Sequence, residues 1–169
     1  MTNEQAAFLR DFLIKSHEFE FPVTAKVLGA IPEGKLSYKF DDKSRTAGEI
    51  AWHTAVSEQQ FLQGILAGAF NWDEPAMVAA TSGQPIAAWY SENIPPLVAK
   101  VKAMEGAALA KDVEFFGMVL PLVTYLNFML NHTIHHRGQL AAGLRTMGGK
   151  VPSIYGGSAD EPFEAGAGA

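Results

Sequence analysis

The stretch Asn131-His132-Thr133-Ile134-His135-His136-Arg137-Gly138-Gln139 holds three of the chain's five histidines within five positions. A neutral imidazole offers a nitrogen lone pair to a transition metal. On a helix, residues four apart stand one turn above one another, so His132 and His136 share a face and can share an ion. His132 and His135 are also geometrically able to pair. His135 and His136 point roughly 100° apart and cannot both face one ion squarely. A third ligand has to come from elsewhere, and His53 is the candidate. Three imidazoles with an open position make a catalytic type of site for zinc, nickel, manganese or iron. The spacing alone is a weak signal, because paired histidines also occur as polar surface or hydrogen-bonded core residues, and the glutamate of an HExxH motif is absent. His17, between Ser16 and Glu18, reads as a solvent-facing residue.

Glu49 lies four residues before His53 and shares its helix face. It could accept a hydrogen bond from a ligand's ring N–H or act as a general base. Thr46 and Glu49 also have the spacing of a capping box, a role that needs only local geometry and is preferred here. Asn131 and Gln139 are candidates for orienting site groups, and Arg137 for anchoring an acidic substrate or forming a surface ion pair. Tyr125 and Met129 read as core packing. The chain has no cysteine. Thiolate metal sites and a cysteine nucleophile are thereby excluded, and any thiol chemistry must use a thiol supplied from outside.

Four helices are expected to carry these residues. The first spans about 3–28, with Phe8, Leu9, Phe12, Leu13, Phe19, Val23 and Val27 recurring at threes and fours. Pro22 should kink or divide it. After Pro32-Glu33-Gly34, residues 36–41 read as an extended connector. The second helix starts at Thr46 and runs to about Gly68, with Ile50, His53, Phe61, Ile65 and Leu66 facing inward. The third spans roughly 86–104, kinked or reset at Pro95-Pro96. Residues 109–115 alternate weakly and read as a short strand or extended crossover. The fourth helix runs from about Leu120 to Met147 and stops at Gly148-Gly149, and residues 150–157 form a loop packed back on the body. This is an all-α reading, a four-helix bundle with longer crossover connections, and such bundles build metal sites between facing helices.

The 169 residues fit a single domain, with a tail after about residue 162 expected to fray. A net charge of −5 without any basic cluster argues against nucleic acid as a partner. No apolar run approaches the roughly 20 residues of a membrane helix, and the first residues lack the pattern of a signal peptide. A cytoplasmic protein is expected, and the Phe-rich helices suggest a homodimer.

The run 131–140, with Leu144-Arg145, Gly148, Val151-Pro152 and Tyr155-Gly156 behind it, resembles the closing segment of the DinB-like superfamily, the metal-binding four-helix-bundle group. Gly48-Glu49-Ile50-Ala51-Trp52-His53 and Leu62-Gln63-Gly64-Ile65-Leu66 resemble that family's second helix. The resemblance covers most of the chain. It implies a metal triad of His53, His132 and His136, with His135 a neighbour that does not ligate. It also implies a small-molecule substrate and a thiol-dependent transferase, in which the metal lowers the pKa of a low-molecular-weight thiol and delivers the thiolate. Arg137, Arg145 or Lys150 would receive the thiol's acidic groups. Metal-dependent hydrolysis, with Glu49 the nearest base, is the second reading. A non-catalytic, stress-related metal or small-ligand binding protein is the third. Residues 73–113 carry no family motif, so substrate specificity is expected to be decided there.

Overall fold

Thr2 opens the first helix. Its hydroxyl accepts from the Gln5 amide at 3.2 Å while the Gln5 side chain accepts from the Thr2 amide at 2.9 Å, satisfying two of the donors that a helix start leaves bare. The structure, a computed structural model, describes residues 1–162, and the tail expected to fray lies outside the described residues. Helix α1 runs unbroken from Asn3 to Gly29 with Pro22 inside it, so the proline does not divide it. A second capping box, Thr46 with Glu49, starts α2 (Ala47–Ala67), which Gly68 closes in the left-handed conformation. Helix α3 (Gln84–Lys102) likewise continues through Pro95 and Pro96. A single turn, α4 (Gly106–Leu109), leads into an antiparallel hairpin of β1 (Asp112–Phe115) and β2 (Met118–Pro121). Helix α5 (Thr124–Gly143) follows, and a 3-10 turn over Arg145–Met147 ends at Gly148 with φ +85°.

The last long helix was expected to begin at Leu120. Instead Leu120 pairs with Val113 across the hairpin. The amides of Leu122 and Val123 donate to Lys111 and Leu109 at 2.9 and 3.0 Å. These bonds hold 122–123 against the preceding turn, and the helix can start only beyond them.

α1 and α2 stand diagonally opposite, each packed against both α3 and α5. Of the 21 residues of α2, 16 are buried, because two connecting loops cover the faces that α3 and α5 leave open. Ile14, Leu28, Leu62, Ile65, Ile86 and Ile94 are fully enclosed, each worth about 1.5–3 kcal/mol relative to exposure. The expected inward face of α1 needs correcting. Leu13 and Val27 are buried together with Ala6, Ile14, His17, Thr24 and Leu28, but Phe8, Phe12 and Phe19 are 73%, 60% and 77% exposed. At 100° per residue the three phenylalanines fall within about 40° of one another, on the side away from the buried stripe. No helix among the described residues is long and apolar enough to cross a membrane.

Candidate metal centre

His53 comes from the second turn of α2, and His132 and His136 from successive turns of α5, across an extensively packed helix pair. One ring nitrogen from each lies within 4.8 Å of the others. His53 Nε2 and His132 Nε2 are 3.2 Å apart, and the His136 ring stands 4.4 Å from that of His132 and 4.8 Å from that of His53, centroid to centroid. The outer nitrogens explain the orientation. His53 Nδ1 faces Glu74 Oε2 at 3.2 Å, with Ser57 Oγ at 3.3 Å. His136 Nδ1 donates to Gln139 Oε1 at 2.8 Å. A proton held on Nδ1 leaves the lone pair on Nε2. His132 Nδ1 has no partner among the described residues, and its ring is instead packed against Phe61, 5.9 Å between centroids.

Burial is the largest cause lowering the proton affinity of all three rings, and holds His132 down to about 3. The positive charge of Arg45 lowers each further. The three imidazoles are therefore neutral at neutral pH, with nitrogen lone pairs crowded into one spot. That donor set fits a borderline transition metal, and these residues could hold such an ion.

Glu74 carries no sequence signal. It sits in the loop between α2 and α3, where two side chains of α2 grip the residues on either side of it. Gln60 donates to the Asp73 carbonyl, and Trp52 Nε1 donates to that of Pro75 at 2.8 Å.

A cavity of about 580 Å³ opens beside His53 and His136. Its outer wall is the connector before α2, where Tyr38 and Phe40 meet at 5.7 Å between rings. Phe40 rests on α5 at Gly143, where a Cβ would come within 1.8 Å of the Phe40 ring. Ile50 and Ala142 complete the apolar lining, and Arg45 supplies a charge.

The family model described as "DinB family" matches residues 3–165. The chain belongs to the DinB family. An uncharacterized protein, YrdA of Bacillus subtilis (strain 168), is 31% identical over 156 residues, covering 89% of this chain and 90% of that protein. A DinB-like protein from Bacillus cereus ATCC 10987, known as a crystal structure, superposes with a TM-score of 0.72 at 27% identity, over 85% of this chain and 95% of that one. The DinB-like protein YjoA of Bacillus subtilis gives 0.69 at 21% identity, over 84% and 96%, a likeness of fold.

Within this DinB-family chain the other candidates fall into place. His135 is exposed and outside the triad. Gln139 orients His136 as expected of it, whereas Asn131 is exposed and does not line the cavity. Tyr125 and Met129 are buried core residues. Glu49 is used by the cap, its carboxylate accepting from the Thr46 amide at 2.7 Å. His17 is not on a solvent face. It is 4% exposed and bonded to the buried Glu58 at 2.5 Å, because it lies on the Leu13 side of α1. Arg137 is neither a surface residue nor a substrate anchor, being 1% exposed and paired with Glu20 at 2.6 Å and the Tyr155 hydroxyl at 2.7 Å. Arg145 is paired with Asp160, and Lys150 lines a separate cavity. The cation beside the triad is Arg45, which sequence reasoning passed over because the neighbouring Thr46 reads only as a cap.

Proposed function

We propose that this protein holds one divalent transition metal on His53, His132 and His136 and is a metal-dependent transferase acting with a small external thiol. The observation that carries the reading is the convergence of three neutral ring nitrogens, with no fourth protein ligand among the described residues, beside an open cavity. When bound, an ion there supplies the Lewis acidity that keeps a thiol ionised near neutral pH. The chain's own part is to orient and to shelter. Glu74 and Gln139 hold two imidazoles by their Nδ1 atoms, Phe61 packs the third, and burial keeps all three unprotonated. In the transfer, the sulfur lone pair forms a bond to the electrophilic carbon, the leaving group departs with the bonding electrons, and the thiol's proton passes to solvent.

Hydrolysis is less well supported, because the nearby carboxylates are already engaged. Glu49 serves the cap, Glu74 faces His53, and Asp41 accepts from the amides of Lys43 and Ser44 at 2.8 and 3.0 Å. For a binding protein without catalysis, a metal would tie α2 to α5.

Elemental analysis of the purified protein should find about one metal per chain, lost in His53→Ala, His132→Ala and His136→Ala and kept in His135→Ala. Unchanged content in the first three variants sinks the site. Cobalt-substituted protein should develop a sulfur-to-metal band with added thiol, and the chain's lack of cysteine leaves no other source for it. A spectrum that no thiol moves, together with metal-dependent ester or amide cleavage, would favour the hydrolase. The exposed Phe8, Phe12 and Phe19 stripe supports a homodimer through α1. Sedimentation should then find a dimer that Phe12→Glu dissociates, and a wild-type monomer would reject it.

A further inference from the structure

We infer that the cavity beside the triad selects small organic anions, Arg45 binding the ligand's carboxylate while its apolar body lies against Tyr38 and Phe40. The inference deepens the proposed function and rests on the same cavity, although its central measurement needs neither thiol nor metal.

Three observations carry it. The polar side chains of the lining are nearly all committed. Gln139 serves His136, and Asp41 caps the turn through Lys43 and Ser44. Ser44 Oγ donates to the Asp41 carbonyl at 2.9 Å, and Thr146 Oγ1 donates to that of Gly143 at 2.7 Å. Arg45, the one lysine or arginine of the lining, enters no salt bridge among the described residues, whereas the Asp41 carboxylate is taken up by backbone amides. A guanidinium in that state offers a planar fork of donors matched to a carboxylate.

The second observation is that Arg45 lines the same cavity as His53 and His136. A small ligand with a reacting group at the triad and an acidic group at the fork would lie within that one cavity. On a chain of net charge −5, a local cation favours the entry of an anion.

The third is the fixed placement of both parts. Lys39 and Thr46 form a bridge that closes the connector on either side of 40–45, and the Ala47 amide donates to the Tyr38 carbonyl at 2.8 Å. Seated on Gly143, Phe40 is a wall set in place before any ligand arrives, which lowers the ordering cost of binding.

The test is calorimetric titration of the full chain with 3-phenylpropionate and with its uncharged isostere 3-phenylpropionamide. The acid should bind more tightly by roughly tenfold or more, as a charge-assisted pair is worth. Arg45→Gln should abolish that difference while leaving the amide's affinity, the metal content and the circular dichroism unchanged. Arg45→Lys should restore part of it, having the charge without the fork. Absence of acid binding, equal affinities in the wild type, or a preference that survives Arg45→Gln would each overturn the inference, the last by placing the carboxylate on the metal or the histidines. The thiol reading fails separately, on a cobalt spectrum that no thiol moves, because neither titrant carries sulfur.

Discussion

Glu74 holds His53 from a loop, and a carboxylate on the far nitrogen of a ligand ring both fixes the ring and raises its basicity. Glu74→Gln should weaken metal binding by roughly ten- to a hundredfold with little change in the melting temperature of metal-free protein. Equal affinity in a chelator competition assay would remove Glu74 from the site. The histidines also set a pH dependence. The unfolded chain takes up a proton on His132 near pH 6.5, whereas the folded chain refuses it until about pH 3. Protons therefore favour the unfolded state across that interval, and metal-free protein should lose stability as the pH falls through it. At pH 5 the loss from His132 is at most about 2 kcal/mol, less after solvent screening. Urea unfolding at pH 7 and pH 5 measures it, and His132→Gln should flatten the profile. A wild type as stable at pH 5 as at pH 7 would contradict the account. One-turn spacing put His132 and His136 on one helix face but left His135 open as the partner, and the choice of His136 came from the family resemblance. Glu74 and Arg45 were not legible in the sequence, since their places depend on how loops close.

Helix α1 marks the limit of reading an element by its period. Phe8, Phe12 and Phe19 recur at helical spacing as faithfully as Leu13, His17, Thr24 and Val27 do. Periodicity says that a face exists and not which face the neighbours cover. Capping chemistry was the more reliable guide. Thr46, Glu49 and Gly68 bound α2 as expected, since each acts within a few residues, whereas α5 ends at Gly143, short of the expected Met147, and Gly148 closes only the 3-10 turn beyond it. The hairpin of 112–121 was half legible, its second strand being hidden in an apolar run that continues into α5. At this scale Gly143 is the decisive position of the cavity wall. Gly143→Ala should displace Phe40 and cost about 1–3 kcal/mol, as overpacking does. Chemical denaturation checks the cost, and a variant within 0.5 kcal/mol of wild type, roughly the scatter of neutral surface changes, would show that the connector does not rest on α5.

Across the whole molecule, one carboxylate is shared by all four long helices. Glu58 of α2 is 1% exposed and receives His17 of α1 at 2.5 Å, Tyr90 of α3 at 2.8 Å and Thr133 of α5 at 2.9 Å. Burial, and next the neighbouring Glu58 charge, push the Tyr90 phenol well above its ordinary range. Glu58→Leu strands three buried donors and should cost about 3–5 kcal/mol in a urea titration. A loss below 1 kcal/mol would mean the cluster is incidental. The bundle was legible from helix count and loop length, but this junction was not, because its members are scattered from position 17 to position 133. For the gene, the junction is a constraint on the order of change. A substitution at any one of the four codons leaves its former partners stranded in the interior. Apolar replacements become tolerable only once several have arrived together, so single-step drift at these positions is blocked even though a wholly apolar quartet could fill the same space.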